Sequence, residues 1–188
     1  MATKRKLPTG IQSFAKLRNE GCYYVDKTPY MHQLIEQGNY YFLSRPRRFG
    51  KSLFLDTLQQ LFEGKRDLFA GLFIEDKWDW QITYPVVRFG FGDGVVQSRA
   101  ALDNRINQQL SDNRERLGLP ANTALDIPGN FRSLLMAAQK KYGQNVALLI
   151  DEYDKPILDN IENSDIATKN REGLKKYSTA SSKMPIRF

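Results

Sequence analysis

Cysteine and histidine are almost missing from this chain, with Cys22 and His32 the sole representatives among 188 residues. One thiol makes no internal disulfide. One imidazole leaves no Cys/His zinc cluster, and poor support for a Ser-His-Asp or Cys-His nucleophilic apparatus. Any chemistry therefore rests on carboxylates, lysines and arginines. Long apolar runs are lacking too: no stretch approaches the roughly 18 apolar residues that mark a membrane span. The basic leader Met1 to Lys6 has no apolar signal segment behind it. The expected setting is soluble and cytoplasmic, without a membrane partner. Repeats, low-complexity tracts and linkers are also missing, which predicts one domain over residues 1–188.

What is present is a foldable core and an excess of positive charge. A hydrophobic content of 41% suits an ordinary folded domain, and 28 Lys and Arg against 21 Asp and Glu leave a net charge of +7. That sign favours anionic partners, whether nucleotide, nucleic acid or an acidic surface. Along the chain, Ile11 to Glu20 reads as a short helix, Tyr23 to Val25 as extended, and the segment opened by Thr28 as N-cap and Pro29 as a second helix ending at Gly38. Tyr40 to Leu43 reads as a buried strand and Lys51 to Glu63 as a helix with Leu55, Leu58 and Phe62 on one face. Pro85 to Phe91 is a strand with a glycine-rich exit, read as a mobile loop. Leu102, Ile106 and Leu110 mark a helix over Ser98 to Leu117, and Asn130 to Tyr142 forms another. The unbroken run Val146 to Ile150 suggests a strand covered on both faces, as in a parallel sheet flanked by helices. Ala167 to Ser178 is a further helix and Pro185 to Phe188 the start of a strand.

Between the expected strand at Tyr40 to Leu43 and the helix at Lys51 lies "SRPRRFGKS", Ser44 to Ser52. A Walker A loop is written Gly-x-x-x-x-Gly-Lys-Ser/Thr, and here Arg45 stands where the first glycine belongs. Strand, loop and helix is the context such a loop needs. Backbone N–H groups at a helix start, aided by the helix dipole, bind phosphate; Gly50 allows close approach, Lys51 reaches the phosphates and the Ser52 hydroxyl ligates Mg²⁺. "ALLIDEYD" supplies the acidic partner at a strand end, with Asp151 for Mg²⁺ and Glu152 as the base that orients the attacking water. Asp154 and Lys155 are read as fixing the turn before Pro156. Trp78 and Trp80 are read as buried anchors. A rival reading is a nucleic-acid-binding module in which Arg45, Arg47, Arg48 and the leader Lys4, Arg5 and Lys6 contact backbone phosphates without turnover. A third combines the two, with ATP gating action on DNA through further domains.

"KLPTGIQSFAKLRNEGCYYVDKTPYMHQLIEQGNYYFLSRPRRFGKSL", "LFEGKRDLFAGLFIEDKWDW", "YPVVRFGF" and "LLIDEYDKPI" together resemble the AAA-ATPase-like family of bacterial and archaeal P-loop proteins, from about Leu7 to Phe188. That family writes its loop Arg-Pro-Arg-Arg-Phe-Gly-Lys-Ser, so the absent first glycine is a family trait. The resemblance implies an α/β P-loop NTPase core, a mostly parallel sheet with helices on both faces. It implies ATP and Mg²⁺ as cofactors, with Arg47, Arg48, Phe49, Gly50, Lys51, Ser52 and Leu53 at the nucleotide, Ser52 and Asp151 at the metal, and Lys51 and Glu152 in catalysis. The "YVDKT" block, Tyr24 to Thr28, is another family mark and is expected near the adenine. Family members are commonly longer, and the chain stops at "MPIRF", where a sensor strand should start. The expectation is an N-terminal part without sensor strand, lid or nuclease-like domain, whose complete form hydrolyses ATP to drive or gate an attached module.

Overall fold

The computed structural model describes residues 5–38, 40–46, 48–122, 126–181 and 186–187. It is an α/β structure with helices and a small parallel sheet. The chain divides into two compact units, Met1–Val86 with Arg187–Phe188 and Val87–Ile186.

In the first unit, α1 spans Phe14–Asn19, α2 Thr28–Gln37 and α3 Lys51–Phe62, followed by two 3-10 turns, Arg66–Phe69 and Phe73–Asp76. Helix α1 begins at Phe14 because Ser13 caps it, its side chain accepting from the Lys16 N–H at 3.3 Å, while the Phe14 N–H donates to the Asp56 carboxylate of α3 at 2.7 Å. That bond docks α1 on α3. Phe14, Leu17, Met31, Leu61, Phe69 and Ile74 are fully buried, and Phe14 meets Phe69 and Tyr24 at ring separations of 5.0 Å. Trp78 and Trp80 join this aromatic core, Trp80 through Phe69 and a 2.7 Å bond from its indole N–H to the Glu75 carbonyl. Both pack into the aromatic cluster, yet each is half-buried where the sequence suggests a buried anchor.

Two local expectations change here. Thr28 is the first residue of α2, with Lys27 at the cap, and its hydroxyl donates to Asp26 at 2.7 Å instead of capping the helix. Tyr40 to Leu43 forms no strand; all four residues are exposed, Phe42 by 71%. A short apolar run does not by itself decide between a buried strand and an exposed segment. Here the Tyr41 hydroxyl donates to the Leu34 carbonyl of α2 at 2.6 Å, which holds the segment against the end of that helix.

Along residues 86–187, β1 (Val86–Gly90), α4 (Arg99–Arg116), α5 (Ile127–Tyr142), β2 (Val146–Asp151), α6 (Lys155–Leu158) and α7 (Ser164–Ser181) follow in order, and β3 (Ile186–Arg187) completes the sheet order β1-β2-β3. Leu102, Ile106 and Leu110 of α4 are all buried, as their spacing predicts, against Phe131, Leu134, Leu135 and Ala138 of α5 and Val87, Phe89, Val146 and Leu148 of the sheet. Ser98 caps α4 and Asp126 caps α5, which starts three residues ahead of Asn130. The polar character of α4 has a structural use. Asn113 accepts from the Arg88 N–H at 2.9 Å and donates to the Arg88 carbonyl at 2.8 Å, and Gln109 accepts from the Gly90 N–H at 2.6 Å. Side chains of α4 thus occupy backbone groups that an unprotected strand edge would expose. Among the described residues no helix is long and apolar enough to cross a membrane.

Candidate functional site

The phosphate-type loop lies in the first unit. Gly50 stands at the N-cap of α3 with φ 75°, a left-handed conformation suited to glycine, and Arg48 shares that region with φ 68°. Helix α3 has neither a side-chain cap nor an acidic residue in its first turn. Neither its cap residue nor its own first turn therefore offsets the positive end of this 12-residue helix. Lys51 folds back over the loop. Its ammonium donates to the Arg45 carbonyl at 2.6 Å and lies 3.4 Å from the Pro46 carbonyl, closing the loop into a ring. An ammonium has three donors, so one remains for an anion. Ser52 and Leu53 are half-buried in the first turn and Phe49 is exposed; Arg47 lies outside the described residues.

Lys27, in the Tyr24 to Thr28 block that the sequence marks without giving this lysine a role of its own, reaches this loop. A methyl group placed on Gly50 would sit 3.6 Å from Lys27 Nζ. The block that carries it is a clamp. One Asp26 oxygen accepts from the Thr28 N–H at 2.8 Å and the Thr28 hydroxyl, and the other accepts from the Phe73 N–H at 2.8 Å. The buried Thr28 hydroxyl in turn accepts from the Ile74 N–H at 3.2 Å. Burial pushes the Tyr24 phenol above its ordinary value, against the opposing pull of hydrogen bonds with Thr57 and the Lys27 backbone.

The acidic pair lies in the second unit. Asp151 ends β2 half-buried, with its carbonyl accepting from the Phe91 N–H at 3.1 Å. The burial expected for this strand ends one residue early, since Ile150 is 42% exposed. Glu152 follows with φ 51°, a left-handed conformation uncommon for a non-glycine residue, and its side chain is exposed. Its carboxylate rests against Gly92, where an added Cβ would approach one oxygen to 3.0 Å. The glycine-rich exit of β1 is thus the neighbour of the acidic pair, a role hinted at only by glycines clustered at a strand end. Lys155 holds the turn, donating to the Gly94 carbonyl at 2.7 Å and pairing with Asp159 at 2.6 Å.

A family model described as a predicted AAA-ATPase matches residues 8–185. The chain belongs to the AAA-ATPase-like family. This membership supports nucleotide binding in general terms, with ATP the nucleotide the family description names. The chain is 50% identical over 174 residues to a protein of Azotobacter chroococcum mcd 1 described as an uncharacterized protein in vnfD 5'region. The match covers 92% of this chain and 34% of that protein, so this AAA-ATPase-like chain spans about a third of its relative's length. No solved structure matches it.

Proposed function

We propose that residues 1–188 form an ATP-binding, Mg²⁺-dependent P-loop domain, and that hydrolysis in a longer protein drives or gates an attached module. The observation that carries this reading is the start of α3, where an uncapped helix end, a left-handed Gly50 and the folded-back Lys51 converge. These residues fit a polyphosphate. The backbone N–H groups of the first turn and the remaining Lys51 donor suit phosphate oxygens, with Arg48, Phe49 and Leu53 beside them and Arg47 the further contact the family pattern assigns. The family pattern assigns Mg²⁺ to the Ser52 hydroxyl and the Asp151 carboxylate. One hydroxyl and one carboxylate form the sparse set this ion accepts when phosphates and waters complete its shell. Among the described residues no group of three His, Cys, Asp or Glu side chains gathers at one place. Bound there, Mg²⁺ would neutralise charge on the β- and γ-phosphate oxygens. Glu152, exposed and at a strand end, is suited to orient a water and accept its proton. In this reading the small sheet belongs to a P-loop NTPase core, mostly parallel, with helices on both faces.

The test is the melting temperature with nucleotide. At about a hundredfold excess over Kd, binding to the folded state adds about 2.7 kcal/mol. For a chain of this size that raises the melting temperature by roughly 5–10 °C. Mg²⁺-ATP should produce the rise in the wild type and not in Lys51→Ala. A rise of the same size in both would remove the phosphate loop from the account. A rise with single-stranded DNA alone would favour the nucleic-acid reading.

A further inference from the structure

We propose that Lys27 is a second phosphate-binding cation of this site, delivered to the mouth of the loop by the Tyr24 to Thr28 block. The inference rests on the phosphate-loop reading and adds to it a residue from outside the Walker motif. Geometry is the first ground. Lys27 Nζ lies 3.6 Å from the point where a Cβ on Gly50 would stand, at the glycine whose missing side chain leaves the approach to α3 open. The second ground is how Lys27 is held. Its carbonyl accepts from the Tyr30 and Met31 N–H groups at 3.2 and 3.4 Å, its backbone bonds with the Tyr24 hydroxyl, and its neighbours Asp26 and Thr28 are tied to the turn at Phe73–Asp76. The backbone is fixed and the ammonium is not used in fixing it.

Charge is the third ground. Among the described residues, Lys27 Nζ lies near Gly50 and Lys51 stands in the first turn of α3, with Arg45 and Arg48 in the loop leading to it, and none of the four is in an ion pair with a carboxylate. Like charges beside the positive end of a helix repel one another, and a structural site would lose little by replacing one of them. A bound polyphosphate turns that repulsion into attraction. The same placement gives the Tyr24 to Thr28 block a different partner from the adenine expected for it, because a protonated amine suits phosphate oxygens better than a purine face.

Calorimetric titration of Mg²⁺-ATP into the wild-type chain, Lys27→Ala, Lys27→Arg and Lys51→Ala tests this. Lys27→Ala should bind roughly 10- to 100-fold more weakly, the usual effect of losing a charged hydrogen bond. Lys27→Arg should recover most of that loss, since it keeps the charge. The gap between wild type and Lys27→Ala should narrow as salt is added, which a purely structural role would not produce. If Lys27→Ala lowers the melting temperature, Lys27→Gln carries the same comparison with a side chain of similar length. Wild-type affinity in Lys27→Ala, together with lost binding in Lys51→Ala, overturns the role of Lys27 and leaves the phosphate loop standing. Absence of binding by the wild type overturns both.

Discussion

The carboxylate of Glu152 occupies the space that a side chain on Gly92 would fill, 3.0 Å from the Cβ position to the nearer oxygen. Contact this tight means that Gly92→Ala must displace the carboxylate by a few tenths of an ångström. The Glu152 side chain is exposed and can move, so the fold should barely notice: a stability change within about 0.5 kcal/mol is expected of such a surface change. In the longer protein to which hydrolysis is assigned, ATP turnover should fall severalfold while Mg²⁺-ATP affinity is kept. Phosphate release and a thermal melt on the same sample check this, and unchanged turnover would separate Gly92 from the function of Glu152.

Glu152 itself carries backbone strain at φ 51°. Replacing a non-glycine residue there by glycine should relieve about 1 kcal/mol, partly offset by glycine's greater freedom when unfolded. Glu152→Gly is therefore expected to be as stable as the wild type or slightly more so, yet inactive in turnover when placed in the longer protein. Urea denaturation beside an ATPase assay measures both, and a variant that stays active would remove Glu152 as the base.

Asp26 joins Thr28 to Phe73 through three accepted hydrogen bonds. Asp26→Ala leaves the buried Thr28 hydroxyl and two backbone donors short of partners, for a loss of roughly 2–4 kcal/mol. Both tryptophans, Trp78 and Trp80, belong to the first unit, so their fluorescence reports this loss. A urea midpoint by tryptophan emission equal to that of the wild type would contradict the clamp.

Tyr24 gives the first unit an alkaline limit. Its phenol is raised in the fold, chiefly by burial, so the folded state favours the protonated form. The associated stability is complete below the unfolded value near 10 and is lost as pH rises through the higher folded value. Tryptophan-monitored melts should fall steeply above about pH 10 in the wild type. Tyr24→Phe should show a weaker fall there, after losing about 1 kcal/mol at neutral pH with the Thr57 hydrogen bond.

Much of the second unit was legible because its helices carry their burial pattern locally. Leu102, Ile106 and Leu110 recur at fourfold spacing and all three are buried, and Val146 to Leu149 form a buried strand core. Gly50, Lys51 and Ser52 stand at the start of a helix, as their spacing suggests, and that helix does begin at Lys51. Tyr40 to Leu43 misleads because a short apolar run does not by itself decide whether its residues become a buried strand. The segments holding Lys27 and Gly92 stand out in the sequence, but the contacts these two residues make do not, for a related reason. Each matters through a contact across sequence, 23 positions from Lys27 to Gly50 and 60 from Gly92 to Glu152, and no local pattern records it.

The measurement that tests the central claim most directly is isothermal titration of ATP with Mg²⁺ into the wild-type chain, Lys51→Ala and Glu152→Gln. Saturable binding by the wild type and Glu152→Gln, lost in Lys51→Ala, is the predicted result. A folded wild-type chain that takes up no ATP, or a Lys51→Ala variant that binds as the wild type does, would contradict it.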